Sequence, residues 1–231
     1  MAAFRFKQFA VEQDGVAMKV GTDGVLLGAW ADCSKAKRVL DVGTGTGVIA
    51  LMIAQRSDAQ SIVGIDIDDS AAACAAHNFA CSSWSTTLRA EQSSAQAFDG
   101  EQFDFIISNP PYFVDSLLCP DSKRTTARHT TDLTFEDLDK AVCRLLDKSG
   151  KFALILPVEQ MERYISMTQL HLVRRCDVYP VVGGQVKRVM AEFAFENKAD
   201  VVVENLAIER GRRGDYTEQY MALTKDFYLK F

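Results

Sequence analysis

Long apolar runs are missing from this chain: none of its 231 residues lies in a stretch approaching the roughly 18 that a membrane-spanning helix needs. The opening MAAFRFKQFAVEQDG puts Arg5, Lys7, Glu12 and Asp14 where a signal peptide needs unbroken apolar sequence, so a cytoplasmic protein without a membrane anchor is expected. Histidine is scarce, with three residues far apart at 77, 129 and 171, and the six cysteines contain no C-x-x-C pair. That leaves neither a metal site nor a disulfide framework to expect, and scattered cysteines of this kind are read as small buried hydrophobes in a reducing compartment. A basic excess is lacking too. The net charge of −5 argues against binding nucleic acid over the whole surface. It leaves room for a local basic face: residues 1–120 carry 8 Lys+Arg against 14 Asp+Glu, and residues 121–231 carry 18 against 17.

What the chain does have is 48% apolar residues, enough for one substantial core. From Arg38 short β-branched runs alternate with helical stretches, the pattern of a mostly parallel sheet covered on both faces. The reading is strand 38–43, helix 48–56, strand 61–68, helix 70–80 with Asp69 or Ser70 as its N-cap, a weaker strand 86–90 and a buried strand 103–108. A polar loop at 113–133 precedes a helix 134–148 opened by Thr134 and Asp137 as a capping-box variant, then strand 151–157 and helix 158–170. Strand candidates follow near 173–181, 187–196 and 201–209, the second alternating well enough for an antiparallel end of the sheet. There are no internal repeats or low-complexity segments.

The turn Asp41-Val42-Gly43-Thr44-Gly45-Thr46-Gly47 closes the first of these strands. Its glycines let the backbone turn tightly and let a ligand approach the main chain. The spacing is G-x-G-x-G behind an acid, not the dinucleotide G-x-G-x-x-G. A pyrophosphate wants free N–H groups and no nearby carboxylate, whereas S-adenosylmethionine carries a sulfonium and an ammonium that Asp41 can hold. Asp66 ends the second strand about 20 residues on, where a carboxylate can accept the ribose hydroxyls. Asp68 and Asp69 follow, Asp69 reading as a helix-start acid favoured by the macrodipole. Glu91, Gln92 and Ser93 after the third strand are candidates for the neighbourhood of the cofactor adenine, with a plain surface turn as the other reading.

Asn109-Pro110-Pro111-Tyr112 runs on from the fourth strand, where consecutive prolines end the ladder. An exocyclic purine amine is a poor nucleophile because its lone pair is shared with the ring. The Asn109 amide oxygen and the Pro110 carbonyl offer two preorganised acceptors for its N–H bonds, and Tyr112 offers a ring on which an extruded base can stack. A plain type I or II turn is the bland alternative for the tetrapeptide.

These motifs together resemble the class I methyltransferases whose fourth motif is [DNS]-P-P-[YFW]. The segments FRFKQFAVEQDGVAMKVGTDGVLLGAWA (4–31), RTTARHTT (124–131) and YTEQYMALTKDFYLKF (216–231) extend the likeness over nearly the whole chain. Here it resembles the bacterial tRNA adenine-N6 methyltransferases that act on adenine 37 of a valine tRNA. The resemblance implies a Rossmann-like α/β fold with a seven-stranded, mostly parallel sheet, residues 1–37 forming a cap segment on a methyltransferase domain at 38–231, within one structural domain. It implies S-adenosylmethionine as cofactor, N6-methyladenosine in tRNA as product, and a monomer. It further implies that Lys19, Thr22, Asp23 and Gly24 close over the cofactor, with Asp41, Gly43, Thr44, Gly45, Asp66 and Asn109 lining it. Lys123, Arg124 and Arg128 in the long loop are candidates for tRNA phosphates, joined by some of Arg174, Arg175, Lys187, Arg188, Arg210, Arg212 and Arg213.

Rival readings are a glutamine N5-methyltransferase for release factors and a DNA adenine methyltransferase, whose extra helical module or recognition domain finds no room before strand 38 or elsewhere. A nicotinamide oxidoreductase is disfavoured by Asp41, and a noncatalytic RNA-binding module by an intact Asn109 and Tyr112.

Overall fold

The computed structural model describes residues 3–110, 133–197 and 200–231. Its centre is an eight-stranded sheet formed by β3 (Arg38–Val42), β4 (Ser61–Asp66), β5 (Leu88–Gln92), β6 (Phe103–Ser108), β7 (Leu146–Leu156), β8 (His171–Val181), β9 (Arg188–Ala194) and β10 (Val202–Glu209). The spatial order is β10-β8-β9-β7-β6-β3-β4-β5. All neighbours run parallel except β9, which is antiparallel to both β7 and β8. The expected antiparallel end is therefore present. The expected count of seven is one short, because β10 adds itself parallel to β8 at the edge. Its Leu206 is buried there in the cluster that also holds Trp30 and Tyr220. A separate pair, β1 (Phe4–Arg5) and β2 (Ala10–Val11), forms an antiparallel hairpin.

Alternation along the central strands splits the core in two, since successive side chains leave opposite faces of a sheet. Val39, Ile62, Phe105, Ile107 and Ile155 face one cluster. Leu40, Val63, Ile106, Leu154 and Leu156 face the other. The first is covered by α1 (Thr22–Trp30), α2 (Val48–Arg56), α3 (Asp69–Ala80) and α6 (Glu218–Thr224), and the second by α4 (Phe135–Leu145) and α5 (Val158–Met167). Burying an aliphatic side chain in such a layer stabilises by about 1.5–3 kcal/mol, so α2, buried from Val48 through Ala54, is a main anchor of its face.

Helix ends follow local chemistry. Thr134 caps α4 by accepting from the Asp137 N–H at 3.1 Å, the first of the two bonds that the capping-box reading expects. For α3 the cap is Asp68, accepting from Ala71 N–H at 3.0 Å, in place of the expected Asp69 or Ser70: Asp68 has the extended backbone that a cap needs, and Asp69 is already helical. Helix α5 stops at Met167, three residues before the expected end, as Thr168 turns extended and gives its hydroxyl to buried Asp139 at 2.5 Å. The N-terminal segment is fixed to the body. Arg56 of α2 donates to the carbonyls of Gly28 and Ala29 near the end of α1, and a Cβ on Gly28 would come within 2.9 Å of Met52 Sδ, so α1 and α2 meet nearly backbone to side chain.

Candidate active site

The carboxyl ends of the parallel strands share one edge of the sheet, and the motif residues gather there. The turn after β3 is held to β4 by two hydrogen bonds, Gly43 N–H and Thr44 N–H both donating to the Ile65 carbonyl at 2.9 Å. Gly43, Gly45 and Gly47 have φ of 73°, 56° and 81°, the left-handed region that favours glycine. A Cβ on Gly43 or Gly45 would meet nothing within 4 Å, so the ligand side of the turn is open, whereas one on Gly47 would lie 2.4 Å from the Phe79 ring. Gly64 faces Thr44, where a Cβ would come within 2.6 Å of the hydroxyl. That space lets Thr44 point inward and donate to Asp41 Oδ2 at 2.7 Å.

Asp41 is fully buried behind the turn, and its Oδ1 meets no hydrogen-bond donor at full bonding geometry among the described residues. Burial pushes the carboxyl up to about 7, the Thr44 hydroxyl and the Ala50 backbone N–H opposing and the Asp66 charge adding to the rise. Sequence reading has Asp41, at the strand end, able to hold the cationic groups of the cofactor; the fold buries it beneath the turn, with Asp66 as the carboxylate nearer solvent. Asp66 Oδ2 accepts from Gly45 N–H at 2.9 Å and Oδ1 from Asp68 N–H at 3.0 Å. The next residue, Ile67, is 48% exposed, a large apolar side chain left in solvent beside a carboxylate. The sequence reading passed over it, although an apolar residue within an acidic I-D-I-D-D run was the available signal. Gln92 lies beside Asp66 in register, Ser93 N–H donates to the Asp66 carbonyl at 2.8 Å, and Glu91 is ion-paired with Arg89 at 2.9 Å.

Asn109 and Pro110 come next along the edge. Ser108, the last residue of β6, pairs in register with Val42 and donates its hydroxyl to the Val42 carbonyl at 2.8 Å, so Asn109 follows directly beside the glycine turn. Asn109 is partly exposed and Pro110 buried. The start of α1 reaches the same place: a Cβ on Gly24 would lie 3.7 Å from Asn109 Nδ2 and from Val48 and Ile49 of α2. Asp23 is ion-paired to Arg188, the first residue of β9, at 2.7 Å. Thr22 is exposed at the helix start, and Lys19 is exposed in the segment leading to it. Pro111, Tyr112, the loop 113–132 and with it Lys123, Arg124 and Arg128 lie outside the described residues.

A family model described as the methyltransferase small domain matches residues 20–156, more than half of the chain. A tRNA1(Val) (adenine(37)-N6)-methyltransferase of Bacteroides thetaiotaomicron is 46% identical over 232 residues, covering 98% of this chain and 97% of that one. Its counterpart from Phocaeicola vulgatus is also 46% identical, over 230 residues and the same shares. The chain belongs to this methyltransferase family. Among solved structures, an Agrobacterium tumefaciens protein titled a predicted O-methyltransferase superposes with a TM-score of 0.69 at 16% identity, over 88% of this chain and 96% of that one, a likeness of fold.

For a member of this tRNA methyltransferase family, the disposition of the arginines matters, and several are spent inside the fold. Arg174 pairs with Glu204 at 3.0 Å and Glu192 at 3.4 Å and lies 4.1 Å from the Trp30 ring centroid. Arg175 pairs with Glu162 and Asp177, both at 2.7 Å, and Arg210 with Asp215 and Glu218 at 3.4 and 3.6 Å. With Arg188 held by Asp23, only Lys187, Arg212 and Arg213 of the candidates beyond the loop are exposed without an ion pair among the described residues. No group of three His, Cys, Asp or Glu able to hold a metal occurs among the described residues, and burial raises the Cys143 and Cys176 thiols to about 11 and about 12, away from thiolate chemistry.

Proposed function

We propose that the protein transfers a methyl group from S-adenosylmethionine to the N6 of adenine 37 in a valine tRNA, as its relatives' names describe for them. One observation carries the reading: Asn109-Pro110 emerges beside the open glycine turn and in register with it, so an acceptor for a planar amine and a bed for the cofactor share one strand boundary. The residues fit that cofactor. Gly43 and Gly45 leave open the space a Cβ would fill, and the buried Asp41 carboxyl lies under the site, where a bound cation would favour its ionised form and be held by its charge. When bound, the cofactor supplies an electrophilic methyl on a sulfonium.

The chain's own residues do the rest. Asp66, fixed by two backbone N–H groups, presents a carboxylate whose remaining lone pairs can take ribose hydroxyls, and Ile67 offers an apolar flank for an adenine ring. Asn109 Nδ2 lies near Gly24, and its amide oxygen is the acceptor for the target amine in this reading. The Pro110 carbonyl supplies the second acceptor, and Tyr112 the stacking face. Lys19, Thr22, Asp23 and Gly24 belong to a cap, residues 1–37, that closes the cofactor side; Lys123, Arg124 and Arg128 hold phosphates of the substrate. The enzyme acts as a monomer in the cytoplasm. Purified protein incubated with labelled S-adenosylmethionine and, separately, total tRNA, ribosomal RNA, DNA and release factor tests this. Label is expected in valine tRNA as N6-methyladenosine; label in release factor alone refutes it.

A further inference from the structure

Two turns project from the carboxyl edge at the outer end of the sheet, 182–187 between β8 and β9 and 210–216 after β10. They are one surface. Val182 N–H donates to the Glu209 carbonyl at 2.9 Å, and Val181 and Glu209 are register partners. The second turn is braced by Arg210 N–H to the Asp215 carbonyl at 2.8 Å and Asp215 N–H to the Arg212 carbonyl at 3.0 Å. The nearby acids have partners within the same turns, Glu218 staying largely exposed. Glu209 Oε1 accepts from Gly214 N–H at 2.8 Å, and Asp215 and Glu218 face Arg210. Lys187, Arg212 and Arg213 are exposed and have no ion pair among the described residues.

A second observation is independent of charge. Gly211 has neither of the usual reasons to be glycine: its φ is not positive, and a Cβ there would meet nothing within 4 Å. The fold does not need a glycine at this point, between Arg210 and Arg212. A bare backbone there permits another molecule to come close to the main chain. The surface also lies at a useful distance from the chemistry. Four strand spacings of roughly 4.8 Å separate β6 from β10, so the turn stands about 19 Å along the edge from Asn109. At about 3.4 Å per stacked nucleotide that is some five or six residues of RNA.

We propose that the joined turns 182–187 and 210–214 dock the phosphate backbone of the tRNA several nucleotides from the methylated base, with Lys187, Arg212 and Arg213 on phosphates and Gly211 in close contact. This rests on tRNA being the substrate. The test measures affinity for valine tRNA at several salt concentrations for wild type, the triple variant Lys187→Ala/Arg212→Ala/Arg213→Ala, and Gly211→Ala. At roughly 0.7–0.9 per neutralised phosphate, the log–log salt slope of the triple variant flattens by about 2–3. Gly211→Ala, which touches nothing in the fold, raises the dissociation constant several-fold at unchanged slope. Cofactor affinity and melting temperature stay at wild-type values in both. A triple variant with the wild-type slope and affinity overturns the proposal while the wild-type enzyme still methylates tRNA. A wild type that neither binds nor methylates tRNA overturns the substrate reading and this surface with it.

Discussion

Replacing Asp41 by Asn removes the one carboxylate that the fold buries completely beneath the glycine turn. Its pKa rises from the ordinary 3.8 to about 7, so between those values the folded protein holds a proton that the unfolded chain has released. Stability therefore falls as pH rises through that window and levels off above about 7. Worked through the linkage relation, the carboxyl costs about 2 kcal/mol of stability between about pH 5.5 and about pH 8.5. The variant has no such group. Its amide keeps a bond to Thr44 but buries unpaired N–H groups, a constant offset of about 1–3 kcal/mol that does not depend on pH. The prediction is thus about shape. Urea melts of both proteins across this range should show the stability difference moving by about 2 kcal/mol in favour of Asp41→Asn toward alkaline pH, or roughly 4–8 °C in melting temperature for a chain of this size. The same variant should bind S-adenosylmethionine more weakly, since the negative potential under the site is gone. A difference that stays flat from acid to alkaline pH would show that Asp41 is ionised throughout and that its burial is not felt.

Asn109→Ala should abolish transfer while leaving cofactor affinity within about tenfold, and Asp66→Ala should do the reverse; calorimetry and single-turnover rates that exchanged the two outcomes would refute the assignment of roles. Arg188→Ala and Asp23→Asn should each lower stability by about 1–2 kcal/mol and lower kcat, and a double-mutant cycle should return a coupling of at least about 0.5 kcal/mol; additive effects would mean that the 2.7 Å pair does not set the start of α1. Gly47→Ala should cost about 2–4 kcal/mol in denaturant melts, because a Cβ at φ 81° also collides with Phe79, and a loss below 1 kcal/mol would count against that contact.

The features that were legible in the sequence are those whose partners are close along the chain. The glycine turn, the acid at the end of β4 and the proline stop after β6 are each set by a few neighbouring residues, and each stands where the pattern puts it. The Thr134 cap belongs to the same class. Asp68 as the cap of α3 was missed because three acids or hydroxyls in succession can all cap, and the backbone angle selects among them. The eighth strand was present as a run near 201–209, but its attachment beside β8 is a tertiary choice that no periodicity contains. Most opaque were the arginines. Arg188 reads as a surface charge until Asp23, 165 positions away, is found against it, and Arg174 until Trp30 and Glu204 are. In each case the composition was visible and the pairing was not.

The charge asymmetry of the sequence acquires a spatial meaning from the strand order. β3 to β6 come from the half of the chain with 8 basic and 14 acidic residues, and they make one end of the sheet; β7 to β10, from the half with 18 and 17, make the other. The strand order thus sets strands from the more acidic half of the sequence at one end of the sheet and strands from the less acidic half at the other, with Asn109 following β6 at their boundary with β7. The acidic end is the one that suits a cofactor carrying a sulfonium and an ammonium, and the less acidic end carries Lys187, Arg212 and Arg213, which have no ion pair among the described residues. If the joined turns hold RNA as proposed, such a division would orient a polyanion without raising the overall charge: RNA would be repelled from the Asp66 end and admitted from the β10 end, and one nucleotide would reach Asn109 with its backbone directed away from the carboxylates. A uniformly basic surface would hold RNA more tightly but would not select a direction of approach. On that proposal, a net charge of −5 is compatible with a tRNA substrate because cofactor and RNA would be separated along one edge.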